Sequence, residues 1–197
     1  AGVADVAYIV PSYSSDKYPL TAVAELPDAF ESQCQGSLAY YKLSHGGGIL
    51  ETREFLPNGL RPLVTIALPA YQMLLGNPRA INAAADLAGL KIRTAGGAMD
   101  LTMRAIKTVP VRMAAPEIYE SLTRGTIDGI VLSYQSTVSY DLGKILKSGT
   151  SGMNFGTAVF VYGIGEAKWK TLPENVRKAM IEAGEQTTRE GCKRFED

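Results

Sequence analysis

The alternation of strand-like and helix-like segments in the second half of the chain constrains the fold most strongly. Residues 90–94 alternate in polarity like a strand, and residues 98–107 have helical character. The pattern then repeats as a strand over 109–113, a helix over 116–123 and a strand over 127–132. Because strand–helix–strand connections of this length join parallel strands, we expect the strands over 109–113 and 127–132 to pair in parallel. The predicted fold class is α/β.

The rest of the chain continues this alternation. We expect strands over 3–10, 63–68, 71–75 and 156–164, and helices over 27–44, 49–56, 133–147 and 173–197. The first strand begins within a few residues of the start of the chain, and the last helix runs to the final residue without a capping signal. We therefore expect the sequence to be a fragment of a longer protein.

Charge and residue usage exclude several classes of function. The 197 residues include 20 Lys plus Arg, 20 Asp plus Glu and one His, so the formal net charge is zero. Without a basic excess, nucleic acid is a poor candidate partner. The apolar runs are too short to span a bilayer, so we do not expect the chain to be embedded in a membrane. One His and two Cys give no metal-ligand set, and we predict neither a metal nor a cofactor.

The two cysteines leave the cellular compartment open. Cys34 and Cys192 fit neither a CxxC motif nor a zinc ligand set. The interpretation that we favour is two unpaired thiols, with a long-range disulfide as the alternative. The start of the chain has no charged and apolar leader pattern, so we expect no signal peptide within these residues.

No catalytic constellation is complete. His45-Gly46-Gly47-Gly48 has the letters of an esterase oxyanion loop, but such an enzyme also needs a Gly-x-Ser-x-Gly motif and a catalytic His. Neither is available here, which favours a flexible turn. Gly163-Ile164-Gly165 lacks the third glycine of a dinucleotide fingerprint. We therefore predict a protein that is not an enzyme.

Arg93 is the strongest candidate for a binding residue. It lies at the carboxyl end of a predicted strand and precedes a Gly-Gly loop that leads into a helix. In open α/β sheets, ligands bind beyond the carboxyl ends of the strands. The planar guanidinium group matches a carboxylate through two parallel hydrogen bonds. A surface ion pair is the alternative role for this residue.

Several ordered blocks of sequence resemble one family. They are DLAGLKIRT at 86–94, VPVRM at 109–113, EIYESL at 117–122, GTIDG at 125–129 and WKTLP at 169–173, together with GVAD at 2–5 and Leu26-Pro27. These blocks are similar to those of the solute-binding receptors of tripartite ATP-independent periplasmic (TRAP) transporters, the DctP family. The resemblance covers essentially the whole chain.

This resemblance implies a two-lobed periplasmic binding protein-like fold with a ligand cleft between the lobes, here truncated at both ends. Lobe one would comprise residues 1–69 plus 154–197, and lobe two residues 70–153. The resemblance further implies a signal peptide upstream, a periplasmic location and delivery of the ligand to TRAP membrane permease subunits. We expect a monomer.

The resemblance also places candidate ligand-binding residues. Arg93 falls on the arginine that clamps the carboxylate of the ligand. Other positions depart from the pattern of the sialic acid receptors: no second arginine occurs at 69–73, Leu132 or Ser133 stands where those receptors have an asparagine, and Ala115 stands where they have a phenylalanine. The full set that we predict to contact the ligand is Arg93, Tyr13, Tyr71, Gln72, Ala115, Leu132, Tyr134 and Phe155.

One cation and several rings favour a small organic acid with a single carboxylate and an apolar or aromatic body. Fewer polar groups remain to satisfy a second carboxylate or several hydroxyls, and leaving such groups unpaired costs about 1 to 3 kcal/mol each. Two alternatives stay open: a C4-dicarboxylate receptor of the same family, and the effector-binding domain of a transcription regulator.

Overall fold

Two separate β-sheets divide the chain into two units in the computed structural model, which describes residues 4–194. The strands are β1 (Val6–Ile9), β2 (Leu60–Ala67), β3 (Gln72–Leu75), β4 (Lys91–Thr94), β5 (Val109–Arg112), β6 (Gly129–Leu132), β7 (Ser148–Gly149) and β8 (Val159–Gly165). The helices are α1 (Gln33–Ser44), α2 (Ala98–Ala105), α3 (Ile118–Thr123), α4 (Tyr134–Ser139), α5 (Glu166–Thr171) and α6 (Glu174–Lys193). Unit 2 comprises Glu25–Asp28 and Pro69–Thr157, and unit 1 comprises the rest. The alternating elements confirm the α/β class.

Unit 1 is built on an antiparallel sheet in the order β1-β8-β2. Helices α1 and α6 pack against β2 and against each other. Tyr40, Phe55 and Val161 belong to its buried apolar core. Gly184 allows α6 to approach the sheet closely, because a Cβ atom at this position would lie 2.1 Å from the backbone oxygen of Leu63.

A disulfide joins two of the helices of unit 1, α1 and α6. Cys34 near the start of α1 is bonded to Cys192 near the end of α6, with 4.8 Å between the two Cα atoms. The favoured expectation of two unpaired thiols was therefore wrong. Spacing along the chain cannot reveal a pair that only the packing of α1 on α6 brings together across 158 residues.

Unit 2 is built on a five-stranded sheet in the order β5-β4-β6-β3-β7. Strands β5 and β6 each pair in parallel with β4, whereas β3 is antiparallel to both β6 and β7. The predicted parallel direction of β5 and β6 is confirmed, but the two strands are not neighbours. Strand β4 lies between them, so the connection through α3 crosses over it.

Two predicted helices are shorter than their sequence patterns suggested. Helix α1 starts at Gln33 instead of residue 27, because Asp28 adopts a left-handed φ of 59° and Ser32 caps the helix. The helix predicted over 133–147 ends at Ser139 as α4. Asp141, with a φ of 51°, breaks it, and a short turn over Leu142–Lys144 follows.

Other boundaries shift by a few residues. The predicted helix over 49–56 is a wide helical turn at Glu51–Phe55 followed by a tight turn at Leu56–Asn58. The first predicted strand begins as β1 at Val6 and the last predicted helix is α6, while residues 1–3 and 195–197 lie outside the described part of the chain. Within residues 4–194, no helix is both long enough and apolar enough to cross a membrane.

Candidate ligand site

Arg93 is a buried cation at the end of a central strand. Its side chain is 1% exposed, and β4 is flanked by β5 and β6 on its two sides. The Nε atom donates a hydrogen bond of 3.0 Å to the carbonyl oxygen of Met113, just after β5. Because Nε is fixed in this way, the orientation of the guanidinium plane is set, and its two terminal nitrogens form the edge that matches a carboxylate.

The side chains next to Arg93 on its face of the sheet are apolar. Arg93 is paired with Val111 of β5 and Ile130 of β6, and directly paired residues share a face. Leu132, two residues after Ile130, lies on the same face and is buried. An acid whose carboxylate is held by Arg93 would therefore meet an aliphatic surface along β6.

Gln72 also lies on this face, since it is paired with Leu132 across β3 and β6. Its side-chain amide is already engaged inside unit 2. The Oε1 atom accepts hydrogen bonds from the Oγ1 atom of Thr150 at 3.0 Å and the backbone N–H of Met153 at 3.2 Å. Tyr134 is 49% exposed, and its hydroxyl donates to the carbonyl oxygen of Thr150 at 2.6 Å.

Tyr71 and Phe155 are brought together by backbone pairing. The N–H of Phe155 donates to the carbonyl oxygen of Tyr71 at 3.1 Å, and both side chains are buried. Phe155 also lines a cavity of about 390 Å³ whose apolar wall includes Leu87, Ile106 and Met153.

Ala115 follows the same loop that orients Arg93. It is buried and lies two residues after Met113, at the start of the tight turn Ala115–Glu117 that leads into α3. Tyr13 belongs to unit 1, where it lies half-buried in a tight turn at Pro11–Ser14 and its N–H donates to Val10.

One acidic side chain, Asp86, caps the turn that precedes β4. The carboxylate of Asp86 accepts hydrogen bonds of 2.9 Å from the N–H groups of Asn82 and Ala83. These bonds stabilise the ionised form and lower the pKa of Asp86. Among residues 4–194, no group of three or more His, Cys, Asp or Glu side chains could hold a metal ion.

Two groups were missed by sequence reasoning. The carbonyl group of Met113 belongs to the backbone, so the residue type at this position does not predict its role. Thr150 is the centre of the bonds to Gln72 and Tyr134, yet a Thr-Ser-Gly stretch after a short strand looks like an ordinary loop. Only the pairing of β3 with the chain around β7 identifies its role.

Comparison with known proteins now decides the family. The family model described as bacterial extracellular solute-binding protein, family 7 (DctP), matches residues 1–197 of this chain. The chain belongs to the DctP family. DctP proteins are solute-binding proteins and not a family of enzymes, and this membership does not favour a transcription regulator.

Individual DctP relatives are distant in sequence and close in fold. A solute-binding protein of Albidiferax ferrireducens is 25% identical over 186 residues, which are 93% of this chain and 53% of that protein. A TRAP periplasmic solute-binding protein from Bordetella bronchiseptica, solved with (R)- and (S)-mandelate, is 23% identical with a TM-score of 0.87, covering 99% of this chain and 61% of its own.

A TRAP solute-binding protein from a marine metagenome, described as specific for aromatic acid ligands and solved with 3-hydroxybenzoate, has a TM-score of 0.85 and 21% identity. The match covers 98% of this chain and 60% of that one. This chain thus spans between half and two thirds of the length of these DctP relatives. The α/β fold of the two-lobed TRAP receptors is confirmed.

Proposed function

We propose that the chain belongs to a periplasmic TRAP receptor that captures an organic acid with one carboxylate and an apolar or aromatic body, and delivers it to a membrane permease. The observation that carries the proposal is the buried guanidinium of Arg93 at the carboxyl end of β4. A guanidinium group binds a carboxylate through two parallel, charge-assisted hydrogen bonds. Capture of the acid requires no chemical step.

The neighbours of Arg93 support the class of ligand. Val111, Ile130 and Leu132 offer carbon atoms and no side-chain hydrogen-bonding groups. The buried Ala115, after the loop that orients Arg93, leaves more room than a larger side chain would. Two relatives of similar fold were solved with 3-hydroxybenzoate and with mandelate, which are aromatic monocarboxylates.

The disulfide supports the proposed location. Disulfides persist in oxidising compartments such as the bacterial periplasm and are rare in the cytoplasm. The pairing of Cys34 with Cys192 is therefore compatible with a receptor that folds after export.

Calorimetric titration of the full-length protein with benzoate, 3-hydroxybenzoate and mandelate tests the proposal, with succinate and a sugar acid for comparison. We expect binding of the three monocarboxylates and at least 100-fold weaker binding to Arg93→Met, about 3 kcal/mol. Arg93→Lys keeps the charge but loses the planar guanidinium group, so its affinity should lie between those of the wild type and Arg93→Met. Arg124→Met, which removes an exposed arginine from unit 2, is the matched control.

Each alternative gives a different result. Undiminished affinity in a folded Arg93→Met variant would refute the carboxylate clamp. Tight binding of succinate or the sugar acid with no response to the monocarboxylates would overturn the ligand class while leaving an acid receptor. No binding of any acid would reject the receptor itself.

A further inference from the structure

The edge of the sheet in unit 2 contains a bulge beside β3. The N–H of Tyr71 donates to the carbonyl of Gly156 at 2.8 Å, and the N–H of Phe155 donates to the carbonyl of Tyr71. Two residues further along β3, the N–H of Thr150 donates to the carbonyl of Met73 at 2.9 Å. The two steps from Tyr71 to Met73 are thus matched by the five steps from Thr150 to Phe155, so residues 151–154 loop out between these pairings.

Gln72 fills the centre of this bulge. It is the first residue of β3, lies between the paired residues Tyr71 and Met73, and is 7% exposed. Its Oε1 atom accepts from the hydroxyl of Thr150 and from the N–H of Met153, while its Nε2 atom donates to the carbonyl of Met153. A carbonyl oxygen of an amide has two lone pairs, and both are used here. The side chain supplies the bonds that the looped-out backbone would otherwise lack.

Thr150 is held from three sides. Its hydroxyl donates to Gln72 and accepts from the N–H of Met73 at 3.1 Å, and its own N–H donates back to the Met73 carbonyl. Its carbonyl accepts from the hydroxyl of Tyr134. A partly buried network in which these polar groups bond to one another favours one arrangement of the chain.

The position of the bulge relative to Arg93 follows from the strand register. Arg93 is paired with Ile130, and Gln72 with Leu132, so Gln72 lies two strands away and one pleat further toward the carboxyl end of β4. Strand spacing of about 4.8 Å and a rise of about 3.4 Å per residue place the two Cα atoms roughly 12 Å apart on one face. The amide therefore borders the surface that extends from the guanidinium group.

We propose that Gln72 is a positioning residue that fixes the bulge over residues 150–155, and that it does not contact the ligand. Tyr134 assists through its bond to Thr150. Recognition of the acid in unit 2 is thereby left to Arg93 and its apolar neighbours, which favours a ligand with one carboxylate. The inference rests on the proposed function for its link to ligand binding, but the positioning role itself is a property of the free protein.

Hydrogen exchange of the free full-length protein is the first test. In Gln72→Met, which keeps the length of the side chain and removes its amide, the N–H groups of Met153 and Phe155 should exchange at least tenfold faster. Thr150→Val should have a similar effect, and Thr150→Ser should restore protection because it keeps the hydroxyl. The double variant Gln72→Met/Thr150→Val should exchange little faster than either single variant, since both substitutions break the same hydrogen-bond network. Gln186→Met, on the exposed face of α6, is the control and should leave these amides unchanged.

Ligand discrimination is the second test. If Gln72 only positions the bulge, Gln72→Met should lower the affinities for benzoate and 3-hydroxybenzoate by the same factor, about three- to tenfold. The ratio of the two affinities should then stay unchanged. A changed ratio with unchanged exchange would mean direct contact and overturn the proposal, as would unchanged exchange with unchanged affinity. If the wild-type protein binds no acid, the proposed function fails, and the exchange measurement still decides whether Gln72 holds the bulge.

Discussion

Replacing Gly184 with alanine should destabilise the protein, although the same change in most helices stabilises them. A Cβ atom at this position would lie 2.1 Å from the backbone oxygen of Leu63 and 2.9 Å from its carbonyl carbon. Reaching a separation of 3.0 Å from the oxygen requires a movement of about 0.9 Å, and the obstacle is backbone that cannot rotate away.

The contacts of α6 on either side of Gly184 set the size of the effect. Thr188, one turn later, accepts a hydrogen bond of 3.1 Å from the N–H of Thr65, and Cys192, one turn further, is fixed by the disulfide. Overpacking costs about 1 to 3 kcal/mol and the weakened hydrogen bond about 0.5 to 1.5 kcal/mol, whereas alanine gains about 1 kcal/mol in helix propensity. The net loss should be about 0.5 to 3.5 kcal/mol, or a fall in Tm of roughly 1 to 14 °C.

Urea denaturation of the full-length protein would measure this loss. Gly191→Ala in the same helix is the matched control, because its Cβ would meet only the end of the Ile66 side chain at 3.0 Å. That side chain can rotate, so the control should be neutral or slightly stabilising. A Gly184→Ala variant that equals or exceeds the wild type in stability would refute the close approach of α6 to β2.

Three further changes test other parts of the structure. Burial lowers the pKa of His45 below its usual value of 6.5, so the unfolded chain binds the proton more readily than the folded one. The free energy of unfolding should therefore fall as the pH drops below about 6.5. In His45→Gln, the dependence of this free energy on pH between 7.5 and 5 should be weaker. Replacing Cys34 and Cys192 together with serine should cost about 2 to 5 kcal/mol and abolish the effect of a reductant on Tm, whereas an unchanged response would contradict the disulfide. Gly156→Ala should cost at least about 2 kcal/mol by urea titration, since φ is 97° and the new Cβ would lie 2.4 Å from the carbonyl oxygen of Glu25. A neutral result would contradict this backbone conformation at Gly156.

The sequence predicts the strands better than it predicts their neighbours. Short runs rich in apolar and β-branched residues, with alternating polarity in β4, identified β4, β5 and β6 because such a run is a local property of each strand. The order β5-β4-β6 depends on which faces the connecting helices cover, which no local pattern reports.

Backbone breaks explain the errors in helix length. Asp28 and Asp141 adopt left-handed conformations that aspartate tolerates but does not require. Their residue types are equally compatible with an exposed helical turn, so the sequence favoured continuous helices at both places. The disulfide was missed for a related reason, since α1 and α6 meet only in the tertiary structure.

Arg93 and Gln72 have different proposed roles because different atoms of the two side chains are engaged by the backbone. Both are polar residues on one face of the same sheet, and both were expected to contact the ligand from the resemblance of the sequence to receptors. The oxygen of Gln72 has both lone pairs occupied by groups of its own unit, so offering it to a ligand would break the bonds of the bulge. Arg93 uses Nε for orientation, and this bond leaves the geometry of its terminal edge suited to a carboxylate. The difference between the two proposed roles lies in which atoms the surrounding backbone engages, and that is decided by the bulge beside β3 and the loop after β5.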